Sequence, residues 1–131
     1  RRGRMEFYPD EVNDIYENEM LGIRGHAELT HYEDRLKLVL GPEIFPLALE
    51  ILTETAVTGC LAREALAAIQ KGYEFTGTSV REAVEEILRV LEHDGYLKAI
   101  TEGYKFESRL LQDWWKKRYG YFHVPIIERG I

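Results

Sequence analysis

Apolar residues recur at spacings of three and four over most of the chain, the period of an α-helix. The predicted helices cover residues 10–21, 26–40, 43–57, 62–70 and 79–94, and a last one covers residues 108–119. Glycine and proline separate them; Gly41-Pro42, for example, ends the second because the glycine suits a C-cap and the proline does not continue a helix. The chain is therefore predicted to be mainly helical.

The helix over residues 79–94 carries the clearest local signal. Ser79 and Glu82 have the spacing of a capping box, in which each side chain accepts a hydrogen bond from the other residue's backbone amide. An apolar stripe with the helical period follows, formed by Val80, Val84, Ile87, Leu88 and Leu91. Gly95 is predicted to end this helix.

Two short segments after Gly95 lose the helical spacing. Tyr96–Ile100 and Tyr104–Glu107 are rich in aromatic and β-branched residues, and they flank a turn that ends at Gly103. This pattern predicts a β-hairpin. The later segment Tyr121–Pro125 is predicted to be extended and is apolar for a tail.

Helices followed by a hairpin are typical of a winged helix-turn-helix, which places the chain in the mainly α, α+β class. The hairpin would be the wing and the helix before it the recognition helix. The predicted organisation is a linker or disordered segment over residues 1–8, a helical segment over 9–40, a winged helix over 42–107, and a closing helix and tail over 108–131. The connection Gly72–Thr78 is longer than the turn of a minimal helix-turn-helix, which argues more against DNA reading than against the fold.

Composition sets further bounds. The 131 residues are 45% hydrophobic and carry a net charge of -6, which suits one compact domain. The sequence has no run of about 20 apolar residues, so no membrane association is predicted. The single cysteine, Cys60, excludes an intrachain disulfide and favours a reducing, cytoplasmic location. The Arg1-Arg2-Gly3-Arg4 start predicts a chain cut from a longer polypeptide.

Charge is distributed unevenly along the chain. Residues 41–95 carry 4 basic and 10 acidic side chains, whereas residues 96–131 carry 7 basic and 4 acidic ones. The helix over residues 79–94 has five acidic residues and two arginines, so it is predicted to read a DNA groove poorly. Backbone contact with nucleic acid is assigned instead to the basic residues of the hairpin and the last helix, with a solvated surface as the alternative. These residues are Lys98, Lys105, Lys116, Lys117 and Arg118.

The sequence contains no pattern that points to catalysis. It has no Gly-x-x-x-x-Gly-Lys-Ser/Thr loop for a triphosphate and no glycine-rich dinucleotide loop. His26 and His31 are five residues apart and do not share a helix face, and His-Glu-x-x-His does not occur. The chain by itself is therefore predicted not to be an enzyme, and no cofactor, metal ion or catalytic residue is assigned to it.

Trp114 and Trp115 are the best indication of a contact with a protein partner. Consecutive residues point to different faces of a helix, so one ring is predicted to pack inside and the other to form an interaction surface together with Tyr119. The alternative is that both tryptophans are covered within the chain.

The segment from Gly103 to Tyr119 resembles the C-terminal end of the AAA/STAND-type P-loop ATPases of prokaryotes. It carries the pattern Tyr-x-Phe-x-Ser-x-Leu-Leu-x-Asp-Trp-Trp, preceded by Gly95-Tyr96-Leu97. Residues 31–41 and 47–52 are similar to the junction between the helical lid of those ATPases and their winged helix. The resemblance covers about residues 22–120.

The resemblance implies a non-catalytic winged-helix module whose partner is the ATPase core of the same polypeptide, with ATP and Mg²⁺ bound by the full-length protein. Residues 9–40 would be the end of the lid. Arg24 and His26 would contact the nucleotide, although Ala27 stands where the family's Gly-x-Pro turn has proline. The alternative function is that of a stand-alone winged-helix transcription regulator that binds DNA.

Overall fold

The computed structural model describes the backbone of residues 23–129 and the side chains of residues 29–129. Within this part of the chain lie five α-helices, a small β-sheet and a final 3-10 helix over Ile126–Arg129. The helices are α1 (Ile23–Leu40), α2 (Phe45–Thr58), α3 (Arg63–Gln70), α4 (Val80–His93) and α5 (Arg109–Tyr119). The strands are β1 (Leu61–Ala62), β2 (Leu97–Ile100) and β3 (Gly103–Phe106). The predicted linker over residues 1–8 and the predicted helix over residues 10–21 lie outside the described residues.

Helix α2 is the centre of the core. It packs against the four other helices and against β1 and β3, so almost every face of its middle turns is covered. Leu47, Ala48, Ile51 and Leu52 have no exposed surface. Pro46 lies in the first turn, where its missing N–H removes no helical hydrogen bond, and Gly59 ends the helix with a φ of 88°.

The predicted hairpin is confirmed as β2 and β3, which pair antiparallel with Leu97 opposite Phe106. A third strand, β1, was not predicted, because two residues are too few to show a period. It pairs with the other edge of β3, placing Leu61 opposite Tyr104 and giving the strand order β1-β3-β2. The molecule is therefore mainly helical with a three-stranded antiparallel sheet, an α+β architecture.

Helix α1 begins at Ile23, three residues earlier than predicted, and it continues through Gly25. The prediction that Gly25 precedes the helix was therefore wrong. A glycine inside a helix costs only about 1 kcal/mol relative to alanine, and the packing of the rest of α1 on the core exceeds that cost.

The predicted start of α4 is confirmed. The hydroxyl of Ser79 accepts a hydrogen bond from the Glu82 amide at 3.1 Å, and the Glu82 carboxylate accepts one from the Ser79 amide at 3.4 Å. Residues 71–79 before it form neither helix nor strand, as predicted for the connection. Tyr73 and Phe75 anchor this connection because both side chains pack on the core.

The tail after α5 is not simply extended. It turns at Gly120 and ends in the 3-10 helix, whose Ile126 is buried in the main core. The 3-10 helix lies against α3, so the tail folds back over the molecule.

Candidate interaction surfaces

Trp114 and Trp115 do not form an exposed surface. Their exposed fractions are 3% and 0%. The indole Nε1 of Trp115 donates to Thr53 Oγ1 at 3.1 Å, and its ring meets Tyr96 edge-on at 6.1 Å. Both rings are covered because α5 packs against α1, α2 and β3 at once, so more than one of its faces is buried. The expectation that one tryptophan faces a partner is corrected: both belong to the core of this chain.

A buried carboxylate fastens α1 to α5. Glu33 is 2% exposed, and it accepts hydrogen bonds from Arg118 Nε at 2.9 Å and from the Tyr119 hydroxyl. Lys37, one turn further along α1, lies 3.6 Å from the same carboxylate. A buried charge is stable only when it is paired and hydrogen-bonded, so this cluster holds the two helices in one relative position.

The cluster around Glu33 includes two residues for which the sequence predicted contacts with partners, Arg118 with nucleic acid and Tyr119 with a protein. The Arg118 guanidinium lies over the rings of Trp114 and Tyr119, at 5.3 and 5.4 Å from their centroids. Its hydrogen bond to the Tyr119 hydroxyl raises the pKa of Arg118, and burial together with the hydrogen bond to Glu33 raises the pKa of Tyr119. The charge of Arg118 is thus compensated inside the protein, unlike that of a basic residue kept for phosphate.

A second buried carboxylate fastens the tail to α2. Glu54 is 2% exposed and lies 2.7 Å from Nε2 of His123. Its two oxygens also accept the Ile126 backbone N–H, at 3.1 and 3.2 Å. One turn earlier on α2, Glu50 accepts from the Tyr73 hydroxyl at 2.7 Å and from Arg129 Nη1 at 2.9 Å. The two glutamates together hold the tail and the connection before α4 against one face of α2.

The outer face of α4 is acidic, and its arginines are paired within the helix. Arg81 lies 3.6 Å from Glu85, and Arg89 lies 2.5 Å from Glu86. Both arginines therefore have a carboxylate neighbour on the same exposed face. The expectation that this helix reads a DNA groove poorly stays a prediction, which the pairing of both arginines favours.

The candidate basic residues of the hairpin come together in the sheet. Lys98 on β2 and Lys105 on β3 are direct cross-strand partners, and both side chains are exposed. Opposed like charges weaken a strand pair, so an anion placed between them would relieve a repulsion. The other exposed candidates, Lys116 and Lys117, lie in the last turn of α5.

Helix α1 exposes three apolar side chains, those of Tyr32, Leu38 and Val39, which are called the apolar ridge of α1 below. Leu38 is 85% exposed, Val39 52% and Tyr32 45%. The backbone under this ridge is held firmly, because the Tyr96 hydroxyl donates to the Tyr32 carbonyl at 2.6 Å. Tyr32 and Val39 are seven residues apart and share a side of the helix, whereas Leu38 points to a different side. Exposed apolar side chains grouped on one rigid helix are typical of a protein contact. The apolar ridge of α1 is therefore the strongest candidate for docking.

The two predicted nucleotide contacts both lie on α1. The backbone places Arg24 and His26 in its first turns, before Leu29. Their side chains precede the part of the chain whose side chains are described. Among the described residues, no three His, Cys, Asp or Glu side chains group in a way that suits a metal ion. No helix in that same part is long and apolar enough to cross a bilayer.

Sequence reasoning did not find Glu33 and Glu54, although the sequence carries a signal for both. Glu33 stands in the buried stripe Leu29, Leu36 and Leu40 of α1, and Glu54 follows Leu47 and Ile51 on the core face of α2. An acid at a core-facing position of a helix requires a partner when it is buried. Helical periodicity indicates where such an acid points, but the identity of its partner depends on tertiary packing.

Comparison of the chain with protein-family models, with curated proteins and with solved structures finds no match.

Proposed function

We propose that this chain is a non-catalytic, C-terminal winged-helix module of a P-loop ATPase of the AAA/STAND type. In this proposal residues 42–107 form the winged helix, with α4 in the recognition-helix position and the β2–β3 hairpin as the wing. The module docks against a protein surface, the ATPase core of the same polypeptide, and couples the nucleotide state of that core to its own position. The resemblance of the segment from Gly103 to Tyr119 supports this family.

The observation that carries the docking role is the apolar ridge of α1. The ridge is exposed, whereas the opposite side of the same helix is fixed to α5 through Glu33 and Arg118. A partner that contacts Leu38 and Val39 therefore moves the whole module rather than one loose helix. This is the mechanical property required of an element that joins a lid to a following domain.

The surface of α4 supports a protein contact over DNA reading. Its exposed arginines are paired with Glu85 and Glu86, and the remaining acids would face the phosphates in a groove. Placing such a helix in a major groove brings its carboxylates close to the phosphates, and this repulsion exceeds the attraction of two arginines that are already paired with glutamates.

The test measures, by isothermal titration calorimetry, the binding of this chain to the separately expressed polypeptide encoded immediately upstream of Arg1. The doubly substituted chain with Leu38→Glu and Val39→Glu is expected to bind at least tenfold more weakly, because two charges enter an apolar contact. Ile127→Glu is the control: it places one such charge at another exposed apolar residue, 73% exposed, and it is expected to leave binding unchanged.

Two results would contradict the proposal. One is an upstream coding sequence without a phosphate-binding loop, and the other is equal binding by the double variant and the parent chain. Hydrolysis of ATP by this chain alone, measured as released phosphate, would overturn the non-catalytic assignment as well.

A stand-alone DNA-binding regulator is the second candidate, and the opposed pair Lys98 and Lys105 favours it. A gel-shift assay with duplex DNA at two salt concentrations separates the candidates. The docking module is expected to bind DNA weakly and without base preference. Tight, sequence-selective binding that Lys98→Glu and Lys105→Glu remove would establish the regulator instead.

A further inference from the structure

A cavity of about 700 Å³ lies between the end of α3, the connection before α4 and the tail. Ala68 and Ile69 of α3 form one apolar wall, and Ile126 and Ile127 of the 3-10 helix form the other. Its volume falls within the range of small-molecule sites, which are mostly apolar with a few converging polar groups. Neither the proposed docking surface nor the buried cluster around Glu33 contributes to it.

The polar groups of the cavity carry a net positive charge. Both oxygens of Glu50 have a partner, because one accepts from the Tyr73 hydroxyl at 2.7 Å and the other from Arg129 Nη1 at 2.9 Å. Lys71 lines the cavity as well, and it makes no ion pair within residues 29–129. Two cations and one carboxylate leave a charge of about +1, which is complementary to a monoanion.

The guanidinium of Arg129 is held in a fixed orientation. Its Nε donates to the Val124 carbonyl at 2.7 Å and its Nη1 donates to Glu50. The third nitrogen, Nη2, has no hydrogen-bond partner within the described side chains. A guanidinium that is held by two of its nitrogens can donate from the third to a carboxylate. Its side chain is already ordered, so it loses little conformational entropy when the carboxylate binds.

We propose that this cavity binds an amphipathic monoanion, namely a carboxylate with a short alkyl body. The carboxylate pairs with Lys71 and Arg129, and the alkyl body lies between Ile69 and the two isoleucines of the 3-10 helix. The docked tail supplies that second wall, and Glu54 accepts the Ile126 amide there, so the ligand also stabilises the docked tail. This proposal does not depend on the proposed docking function.

The experiment is a titration of the full chain with sodium octanoate, followed in ¹H–¹⁵N spectra. Saturable shifts are expected at the amides of Ile69, Gly72, Ile126 and Ile127. The neutral analogue 1-octanol is expected to bind at least fivefold more weakly, because it lacks the charge. Lys71→Glu is expected to weaken octanoate binding at least fivefold as well.

The matched control is Lys98→Glu, which makes the same charge change at an exposed lysine outside the cavity and leaves octanoate affinity within twofold of the parent. Lys71 is exposed, so its substitution leaves the fold intact. Shifts that do not saturate, or that fall mainly elsewhere, overturn the proposal. Equal affinity for octanol and octanoate, or an unchanged affinity of Lys71→Glu, does so too.

Discussion

Glu33 and Glu54 lie on core-facing positions of α1 and α2, and each anchors a distant part of the chain. Glu33 accepts hydrogen bonds from Arg118 and Tyr119, which lie 85 and 86 positions later in the chain. Glu54 contacts His123 and the Ile126 amide, which lie 69 and 72 positions later. A buried carboxylate of this kind contributes little net free energy when paired, but it leaves a large penalty when its partner is lost. Such residues therefore specify which elements dock where, beyond adding stability.

Replacing Glu33 with alanine is expected to lower the free energy of unfolding by about 1–3 kcal/mol. The change leaves the partly exposed Arg118 guanidinium without its carboxylate and the Tyr119 hydroxyl without its acceptor. Chemical denaturation of parent and variant measures the difference. Glu86→Ala, which removes a solvent-exposed partner on α4, is the control and leaves the unfolding midpoint unchanged; a Glu33→Ala variant as stable as this control would contradict the assigned role.

Tyr96 makes stability depend on alkaline pH. Burial, and secondarily the nearby Asp94 and Glu33 carboxylates, raise the pKa of Tyr96 above its usual value. The folded chain therefore keeps this proton to a higher pH than the unfolded chain does. The contribution of Tyr96 is complete below pH about 10 and is lost as pH rises beyond it, with a slope of at most about 1.4 kcal/mol per pH unit.

The measurement is the free energy of unfolding between pH 8 and pH 11. Tyr96→Phe is expected to flatten the decline relative to the parent, whereas Tyr121→Phe, at a side chain that is 84% exposed, leaves the slope unchanged. Because all other ionisable groups are common to the parent and the Tyr96→Phe variant, only the differences between slopes are compared. Identical slopes for the parent and Tyr96→Phe would refute the expectation.

At the scale of elements, the bounds of α4 and the β2–β3 hairpin followed local chemistry, whereas the start of α1 and the pairing of β1 did not. The capping box at Ser79 and the left-handed Gly41, with a φ of 85°, lie where the sequence indicates them. Strand β1 has only two residues and exists because β3 offers it a free edge. The closeness of that contact is visible at Gly103, where a Cβ atom would overlap the carbonyl oxygen of Leu61.

Gly103→Ala is consequently expected to separate β1 from β3 and to lower the free energy of unfolding by about 2–4 kcal/mol. Gly77→Ala is the matched control, since Gly77 also has a positive φ of 86° but has open space where its Cβ atom would lie. The control carries only the backbone cost, about 1 kcal/mol. Thermal and chemical denaturation of the two variants tests whether the close approach, rather than the backbone angle, accounts for the larger loss.

At the scale of the whole molecule, the tail closes the core. The segment after Gly120 supplies Ile126 to the main core, His123 and the Ile126 amide to Glu54, and Arg129 to Glu50. This closure joins α2 to the last residues that the structure describes. His123 and Arg129 of the C-terminal quarter are thereby placed against Glu54 and Glu50 of the acidic middle segment.

Truncation after Gly120 is expected to destabilise the chain by several kcal/mol, because it removes Ile126 from the core together with both tail partners of the Glu54 carboxylate. Substitution of Glu54 in the full-length chain and in the truncated chain tests whether the carboxylate contributes to this loss. Glu54→Leu is expected to destabilise the full-length chain but to restore part of the stability of the truncated one. Equal effects of Glu54→Leu in both backgrounds, measured by urea denaturation, would show that the carboxylate and the tail are not coupled.

The sequence by itself determined most of the local structure of this protein. Helical spacing, the capping box, the glycine and proline positions and the hairpin pattern depend on interactions between residues a few positions apart, so α2, α4, β2 and β3 were predicted close to their observed bounds. The acidic character of α4 is likewise a property of its own residues.

Only the tertiary structure decided the burial of Trp114 and Trp115, the partners of Glu33 and Glu54, the pairing of β1 and the return of the tail. Each depends on which surfaces meet across dozens of residues, and periodicity within one helix carries no information about what lies opposite it. Consecutive tryptophans cannot share a face of an isolated helix, yet both are buried here because α1, α2 and β3 surround α5 on several sides.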